Sequence, residues 1–464
     1  MSYGECFVER LGALGETLNA KAKGNARAER LRRTPALADE TLVNDALETF
    51  GEALPGLLLE SVVDPDHPGH LLLHTWNGHR TTTARKIEHG GVAYIPKNLG
   101  SGLVQSVCFA LPSLPFGTPA KLISSMRDFL STYARLQPEV ADLLVAFGLA
   151  TWFCDVMTVA PVLYLLGPDS AVSQALRLLG CFCRRPILLG DIDFAGLATL
   201  PRRLGATLLI NQRYLGRRVQ RTLLASNRRH FGLVHGSERL DLFGGKAFSC
   251  EDFPGVESGL RVSLSPTPGP LPTLSDAQEQ LIARNLQARL LRYRIANYDK
   301  VPGRKIDASA FVPEMREPAS TWLAPIVDCP ELSESVHAEI LRQSQEAAGA
   351  RFFDPKCVVV EAALFFCHDP DPAHFFVGEL AEKVNDLLKG RHEESNLSDK
   401  KAGLVLRELG VYGERVATGY KIVVTDALRE QIHQLAFAYQ VPPAVDGVRR
   451  CRYCRVFQVL PEVG

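Results

Sequence analysis

The chain has 464 residues, 46% hydrophobic and 22% charged, enough for about three ordinary globular domains. Lysine plus arginine and aspartate plus glutamate both number 52, so net charge points to neither a nucleic-acid nor a membrane partner, and any basic surface must be local. No uninterrupted run of about 18 apolar residues is present, so no transmembrane helix and no membrane partner are expected.

The opening segment MSYGECFVERLGALGE carries early acids and does not read as a secretory signal. The cysteines number 11, odd and scattered, which fits reduced thiols in a cytoplasm. Residues 1–40 read as a charged helical leader, its AKAKGNARAERLRR stretch a solvated face rather than a nucleic-acid arm. In the remainder of a mixed region at 1–109, HLLLHTW and GGVAYIP predict strands, because β-formers there are bounded by Gly and Pro.

From Pro115 the pattern changes. TPAKLISSMRDFLSTYARL and PEVADLLVAFGLATWFCDV predict two helices. APVLYLLG predicts a buried parallel strand ending at a glycine, SAVSQALRLLGCFC a helix, and GATLLINQ a second buried strand. Strands alternating with helices imply βαβ units and a parallel sheet. GGKAFSCEDF and GLRVSLSP predict shorter β pieces. After the Pro-rich connector SPTPGPLPTLSD, a long helix is expected with Ser275 as its N-cap. Residues 301–350 read as a linker with a helix near Glu334–Ala348.

The segment YLLGPDSAVSQALRLL, residues 164–179, is laid out like a phosphate loop between a strand and a helix. A working loop, G-x-x-x-x-G-K-[ST], wraps phosphates in backbone N–H groups, with a lysine and a metal-binding hydroxyl. Here Gly167 matches the first glycine. Val172 stands where the second glycine belongs, Ser173 where the lysine belongs and Gln174 where the hydroxyl belongs. The second strand should end in two acids, one for Mg²⁺ and one to activate water. It ends in Asn211 and Gln212, which keep the shape and remove the charge. Taken alone, Gly167 and its loop are more often an ordinary βα turn.

In order, LPFGTPAKLISSMRDFLSTY, LATWFCDVMTVAPVLYLLGP with Trp152, Phe153 and Pro161, CRRPILL, TLLINQ, FGGKAF and GLRVSLSP carry a resemblance. Residues 110–300 resemble the ATPase domain of phage- and plasmid-type replicative helicases and primase–helicases. The resemblance implies an α/β fold with a P-loop NTPase-like parallel sheet core. It also implies a nucleotide site in which Lys246 reaches a phosphate and Arg261 contacts nucleotide or a neighbouring subunit. For Lys246 a solvated strand end, and for Arg261 a surface or core-edge place, is the alternative. Asn227-Arg228-Arg229 reads as a polar sensor, a DNA contact or an exposed loop.

At 351–440, KCVVVEAALFFC, FFVGELAEKVNDLLKG and LSDKKAGLVLRELG predict helices. The second places Phe376, Leu380, Val384 and Leu387 on one face, and the third runs from Ser398 as N-cap to a C′ glycine at Gly410. ERVATGYKIVVT predicts a hairpin turning at Thr418-Gly419, and a last helix is capped by Thr425. Three helices and a hairpin are a winged-helix pattern, which also resembles the C-terminal domain of the same helicases. Its cations for DNA are Lys400, Lys401, Arg407, Arg415 and Lys421, diluted by Glu379, Glu382 and Glu408. Partner-protein binding is the other use of such a module.

Residues 441–464 form a basic tail containing RRCRYCR. Cys451 and Cys454 lack a visible second ligand pair, so free thiols and no metal are expected; borrowed ligands or an intermolecular site are the alternative. Cys181 and Cys183 are expected in the core. The functional expectation is a catalytically degenerate, cytoplasmic, DNA-associated subunit without a cofactor, which joins copies of itself or an active paralogue. The alternatives are a helicase using ATP and Mg²⁺ at an unorthodox site, and a protein-interaction module independent of DNA.

Overall fold

β-Branched and leucine-rich stretches between residues 47 and 96 build two small sheets. The computed structural model describes residues 46–98, 106–441 and 451–456, apart from 68, 202, 236–237, 252, 256–258, 266–268, 352, 369–372 and 395. The expected charged leader lies outside the described residues. The strands are β1 (Leu47–Thr49), β2 (Ala53–Leu54), β3 (Leu57–Val63), β4 (Leu71–Trp76), β5 (Thr81–Ala84), β6 (Ile87–His89) and β7 (Val92–Pro96). One sheet runs β2-β3-β4-β5 and is antiparallel; the other runs β1-β7-β6. The expected strands at HLLLHTW and GGVAYIP are β4 and β7.

Helix α1 (Pro119–Ala134) starts where Thr118 accepts the Lys121 amide at 3.3 Å, with proline at its first turn. Helix α2 (Pro138–Thr151) is apolar on nearly every face and correspondingly buried. Next come β8 (Val162–Leu166), α3 (Asp169–Gly180), β9 (Pro186–Leu189), α4 (Phe194–Thr199), β10 (Thr207–Ile210) and α5 (Arg217–Ala225). A hairpin of β11 (Leu233–His235) and β12 (Glu238–Leu240) precedes β13 (Lys246–Ser249) and β14 (Leu260–Ser263). Five of these strands form one sheet in the order β14-β8-β13-β10-β9, with every pairing parallel. The mainly aliphatic β8, β9 and β10 and the fully buried β13 suit a sheet covered on both faces. The α/β core is therefore a parallel five-stranded sheet, as expected. The strand β9, at Pro186–Leu189, was not among the predicted elements.

Helix α6 (Asp276–Asn297) opens with a capping box between Ser275 and Gln278, on the predicted N-cap. Helices α7 (Pro313–Leu323) and α8 (Pro330–Arg351) follow. The chain divides into two units, residues 1–343 and 344–464.

A buried ion cluster fastens β3 to the α/β core. Glu60, 3% exposed, takes the Arg184 guanidinium as a bidentate pair at 3.0 and 2.9 Å. It also accepts from Arg185 at 2.5 Å, while Arg185 bonds the Phe50 and Leu204 carbonyls at 2.6 Å. Arg294 on α6 approaches Glu60 at 3.6 Å and bonds Asp155. Burial pushes the Glu60 carboxyl up, but the three guanidiniums outweigh it and hold it below the usual range. Sheet β2-β3-β4-β5 and the parallel core thus share one internal charge system.

The second unit contains α9 (Pro355–His368), β15 (His374–Phe376), α10 (Val377–Gly390), α11 (Asp399–Glu408), β16 (Glu414–Val416), β17 (Gly419–Val423), α12 (Asp426–Ala438) and α13 (Arg452–Val456). Ser398 and Thr425 cap α11 and α12 as predicted, and Gly410 has φ 78°. β16 and β17 pair antiparallel across Ala417-Thr418, with Val416 opposite Gly419. β15, not predicted, joins them in the order β15-β17-β16. Val358, Leu380, Val384, Leu406, Ile422 and Ile432 centre the core of this unit. No helix among the described residues is long and apolar enough to cross a membrane.

Candidate functional site

Ligands in open parallel sheets bind beyond the carboxyl ends of the strands, so the site to test is where β8, β10 and β13 end. β8 ends at Leu166, and α3 begins at Asp169. Only Gly167 and Pro168 lie between them. A phosphate-loop frame would place four residues between Gly167 and the helix; here only Pro168 intervenes, close to the helix start expected at Ser170. Pro168 fixes its own φ and serves as N-cap, and Asp169 favours the first turn, so the helix starts at once. A loop this short cannot wrap a phosphate in successive N–H groups. Gly167 itself has φ 146°, and a Cβ there would meet the Leu264 carbonyl at 2.4 Å. The glycine answers a close passage beside the end of β14.

Val172, Ser173 and Gln174 consequently sit inside α3. Val172 is buried against the core. Gln174 reaches the Tyr133 carbonyl at 3.4 Å. Ser173 turns toward β10, and Asn211 donates to its hydroxyl at 2.8 Å. Gln212 accepts the Ile192 amide at 3.0 Å. The structure thus brings Ser173 and Asn211 together, and the Gln212 side chain is spent on the chain after β9.

Arg213, one residue further, was not singled out from the sequence. Its guanidinium donates to the Gly167 carbonyl at 2.9 Å and pairs with Asp169 at 2.7 Å and Glu251 at 3.2 Å. One cation therefore closes the ends of β8, β10 and β13 over the start of α3. The signal for it was a charge directly after a strand-terminal Asn-Gln. The adjoining cleft, lined by Tyr164, Arg213, Tyr214, Gln220, Phe248 and Glu251, encloses about 210 Å³. Small-molecule sites usually measure roughly 300–1,000 Å³.

Lys246 is not brought to this place. It opens β13 and pairs with Val162, the first residue of β8. At about 3.3 Å per residue along a parallel strand, that is about 16 Å from Gly167, at the opposite end of the sheet. Its side chain is fully buried and donates to the Gly244 carbonyl at 3.0 Å. Burial pulls its ammonium down to about 7. The expectation that Lys246 is either a phosphate ligand or a solvated strand end is corrected on both counts. Arg261 pairs with Tyr164 in β14, lies 5.5 Å from the Phe253 ring, and exchanges backbone bonds with the Gln343 side chain.

Asn227-Arg228-Arg229 lies in a turn after α5, with Asn227 buried and Arg228 exposed. The Asn227 carbonyl accepts the Ala160 amide at 2.7 Å, Arg228 pairs with Glu317 at 2.6 Å, and Arg229 donates to the Cys154 carbonyl at 2.9 Å.

In the second unit a groove of about 830 Å³ runs between α11 and the β16–β17 hairpin. Lys400, Lys401 and Arg407 line it, with Leu404 and Tyr420 exposed among them. Arg407 stacks 5.2 Å from the Tyr420 ring. Lys421 and Arg415 lie on the hairpin, opposite Glu414 and Tyr420 respectively.

No protein-family model matches the chain, and no curated protein matches it. Among solved structures it is similar to a full-length MCM homolog from Methanopyrus kandleri, at 12% identity and TM-score 0.32, over 63% of this chain and 78% of that one. It is also similar to the apo NrS-1 C-terminal region, at 12% identity and TM-score 0.29, over 79% and 96% of the two chains. A third likeness is to Drosophila ORC bound to DNA, at 12% identity and TM-score 0.18, over 70% and 94%. These scores carry no argument about function, which rests on the residues themselves.

Proposed function

We propose that this chain is a helicase-like protein whose nucleotide site no longer works, and that it acts with DNA as a structural or regulatory subunit. The carrying observation is the closed end of β8: a two-residue turn, with the Arg213 guanidinium held by Gly167, Asp169 and Glu251. The strand order β14-β8-β13-β10-β9 supports descent from a phosphate-binding sheet. Without a lysine, a second glycine or a metal-binding acid, neither ATP nor Mg²⁺ has its usual ligands.

The element order from α9 to β17 supports a winged-helix reading of the second unit. In that reading α11 enters a major groove and the β16–β17 hairpin meets the backbone. Lys400, Lys401 and Arg407 on α11 and Arg415 and Lys421 on the hairpin supply the cations. Association with itself or with an active paralogue belongs to the same proposal.

The test is binding and DNA-stimulated hydrolysis of ATP by one purified full-chain sample with Mg²⁺. DNA binding without nucleotide binding or turnover is the expected outcome. DNA-stimulated turnover would sink the non-hydrolysing reading. Absence of DNA binding at low salt would sink the DNA role and favour a protein-interaction module.

A further inference from the structure

The pair Cys451-x-x-Cys454 meets two histidines that are remote in sequence. His368 is the last residue of α9, and His433 lies in the middle of α12. One donor atom from each of the four residues lies within 4.8 Å of all the others. The His368 and His433 Nε2 atoms are 3.0 Å apart. Cys454 Sγ is 3.1 Å from His368 Nε2, and Cys451 Sγ is 3.2 Å from His433 Nε2. His433 and Cys454 are fully buried.

We infer that His368, His433, Cys451 and Cys454 form a closed structural zinc site that fastens the carboxyl-terminal tail to the second unit. Four protein donors of two thiolates and two imidazoles are a tetrahedral zinc set, with no position left for a reacting water. Bonds of about 2.3 Å to sulfur and about 2.0–2.1 Å to nitrogen require donors about 3.3–3.8 Å apart, close to the spacing found.

The orientation of His433 agrees. Its Nδ1 donates to the Arg429 carbonyl at 2.6 Å, one turn earlier in α12. That bond fixes the tautomer that leaves a lone pair on Nε2, the atom turned to the cluster. His368 likewise meets both neighbours through Nε2. A purely hydrogen-bonded arrangement explains the cluster less well, because the single lone pair on His433 Nε2 faces both His368 Nε2 at 3.0 Å and Cys451 Sγ at 3.2 Å and can accept from only one of them.

The tail needs such a fastening. Helix α13 spans five residues, far below the roughly 12–15 at which an isolated helix is even marginal. Among the described residues its side chains are otherwise held by an exposed pair of Arg452 with Asp426 at 2.9 Å, a Tyr453–Asp426 hydrogen bond and the Tyr453 ring 5.4 Å from His433. Exposed pairs are screened by solvent and contribute little. A metal held by α9, α12 and the tail would supply the remainder, as structural zinc does in small domains.

The test begins with full chain purified under reducing conditions from zinc-supplemented cells. Elemental analysis should give one zinc per chain, and X-ray absorption should give a shell of two sulfurs and two nitrogens. Cobalt exchange should add the intense visible bands of a tetrahedral thiolate site. His433→Ala and Cys454→Ser should each lose the metal, whereas Cys250→Ser, in the first unit, should keep it. If the variants fail to fold, the wild-type absorption shell decides. A chain without stoichiometric zinc, a Cys451–Cys454 disulfide in that sample, a different ligand shell, or metal retained by both variants would overturn the inference.

Discussion

Asn211 donates its side-chain amide to the Ser173 hydroxyl at 2.8 Å, joining the end of β10 to the second turn of α3. In a working phosphate-binding sheet these two places hold an acid and a lysine, and a nucleotide and its metal lie between them. Here two neutral side chains are in direct contact. The Arg213 guanidinium above them is already shared by Asp169, Glu251 and the Gly167 carbonyl.

Arg213→Ala should therefore not open a nucleotide site. It removes the guanidinium lining the cleft and leaves Asp169 and Glu251 facing any phosphate, so the local field becomes more repulsive. Arg213 is about one-third exposed, and its pairs are screened, so the loss of stability should be about 1 kcal/mol or less. Calorimetric titration with ATP and Mg²⁺ checks this: neither wild type nor variant should bind. Binding by wild type that the variant loses would make Arg213 a phosphate ligand instead.

Much of the core was legible in the sequence because β8 and β10 are apolar runs between turn signals, and Ser275, Ser398 and Thr425 carry recognisable caps. The turn after β8 departs from the phosphate-loop template, which would impose four residues after Gly167, whereas the helix pattern itself begins at Ser170, beside the observed start at Asp169. Pro168 followed by Asp169 was itself the signal for an immediate helix start. β9 was missed because Arg184-Arg185-Pro186 looks like a loop, and only Glu60, more than a hundred residues earlier, explains why two arginines are buried there. His368 and His433 could not be joined to Cys451 and Cys454 by spacing, since only the packing of α9 on α12 brings them together.

Glu60→Gln should be among the most damaging single changes in the first unit. It leaves the buried guanidiniums of Arg184 and Arg185 without their anion, a situation that costs about 3–5 kcal/mol. Urea unfolding should show this loss with no change in secondary structure below the transition. Acid should act in the same direction. Glu60 and Asp155 are both held below their ordinary ranges, Asp155 chiefly by Arg294 against the burial that pushes it up. Their contribution is present above the unfolded values near about 4 and is lost as the pH falls below them. A wild-type chain no less stable at pH 3 than at pH 6 would contradict this account.

Lys246, buried with no carboxylate paired to it among the described residues, destabilises the fold at neutral pH, and its effect on stability has the same pH direction as that of the carboxylates. Its ammonium titrates at about 7 when folded, against about 10.4 unfolded, so between those values the unfolded chain holds a proton that the folded chain lacks. Folding stability therefore rises with pH across that window, by about 1.4 kcal/mol per unit. Buried thiols such as Cys154, pushed up to about 12 by burial, pull the other way once free thiols ionise. The clean measurement is the stability difference between wild type and Lys246→Met at pH 7 and pH 8. The variant should be the more stable at pH 7, and its advantage should shrink at pH 8. A constant difference would mean that Lys246 is not the titrating group.

The groove beside α11 gives the sharpest test of DNA contact. Lys401 and Arg407 are exposed along it, and among the described residues neither is paired with a carboxylate. If both meet phosphates, each releases counterions on binding. The slope of log K against log salt should then fall by about 2 in Lys401→Ala/Arg407→Ala, at about 0.9 per contact. Loss should be uniform across DNA sequences, because phosphate contacts position the protein without reading bases. Both side chains leave the unit's core untouched, whereas Leu406, between them on α11, is buried. Stability should therefore stay within about 0.5 kcal/mol of wild type. Fluorescence anisotropy with a short duplex, repeated over a range of salt, measures affinity and slope together. An unchanged slope with unchanged affinity would remove this face from the DNA interface and leave the groove, with exposed Leu404 and Tyr420, as a surface for a protein.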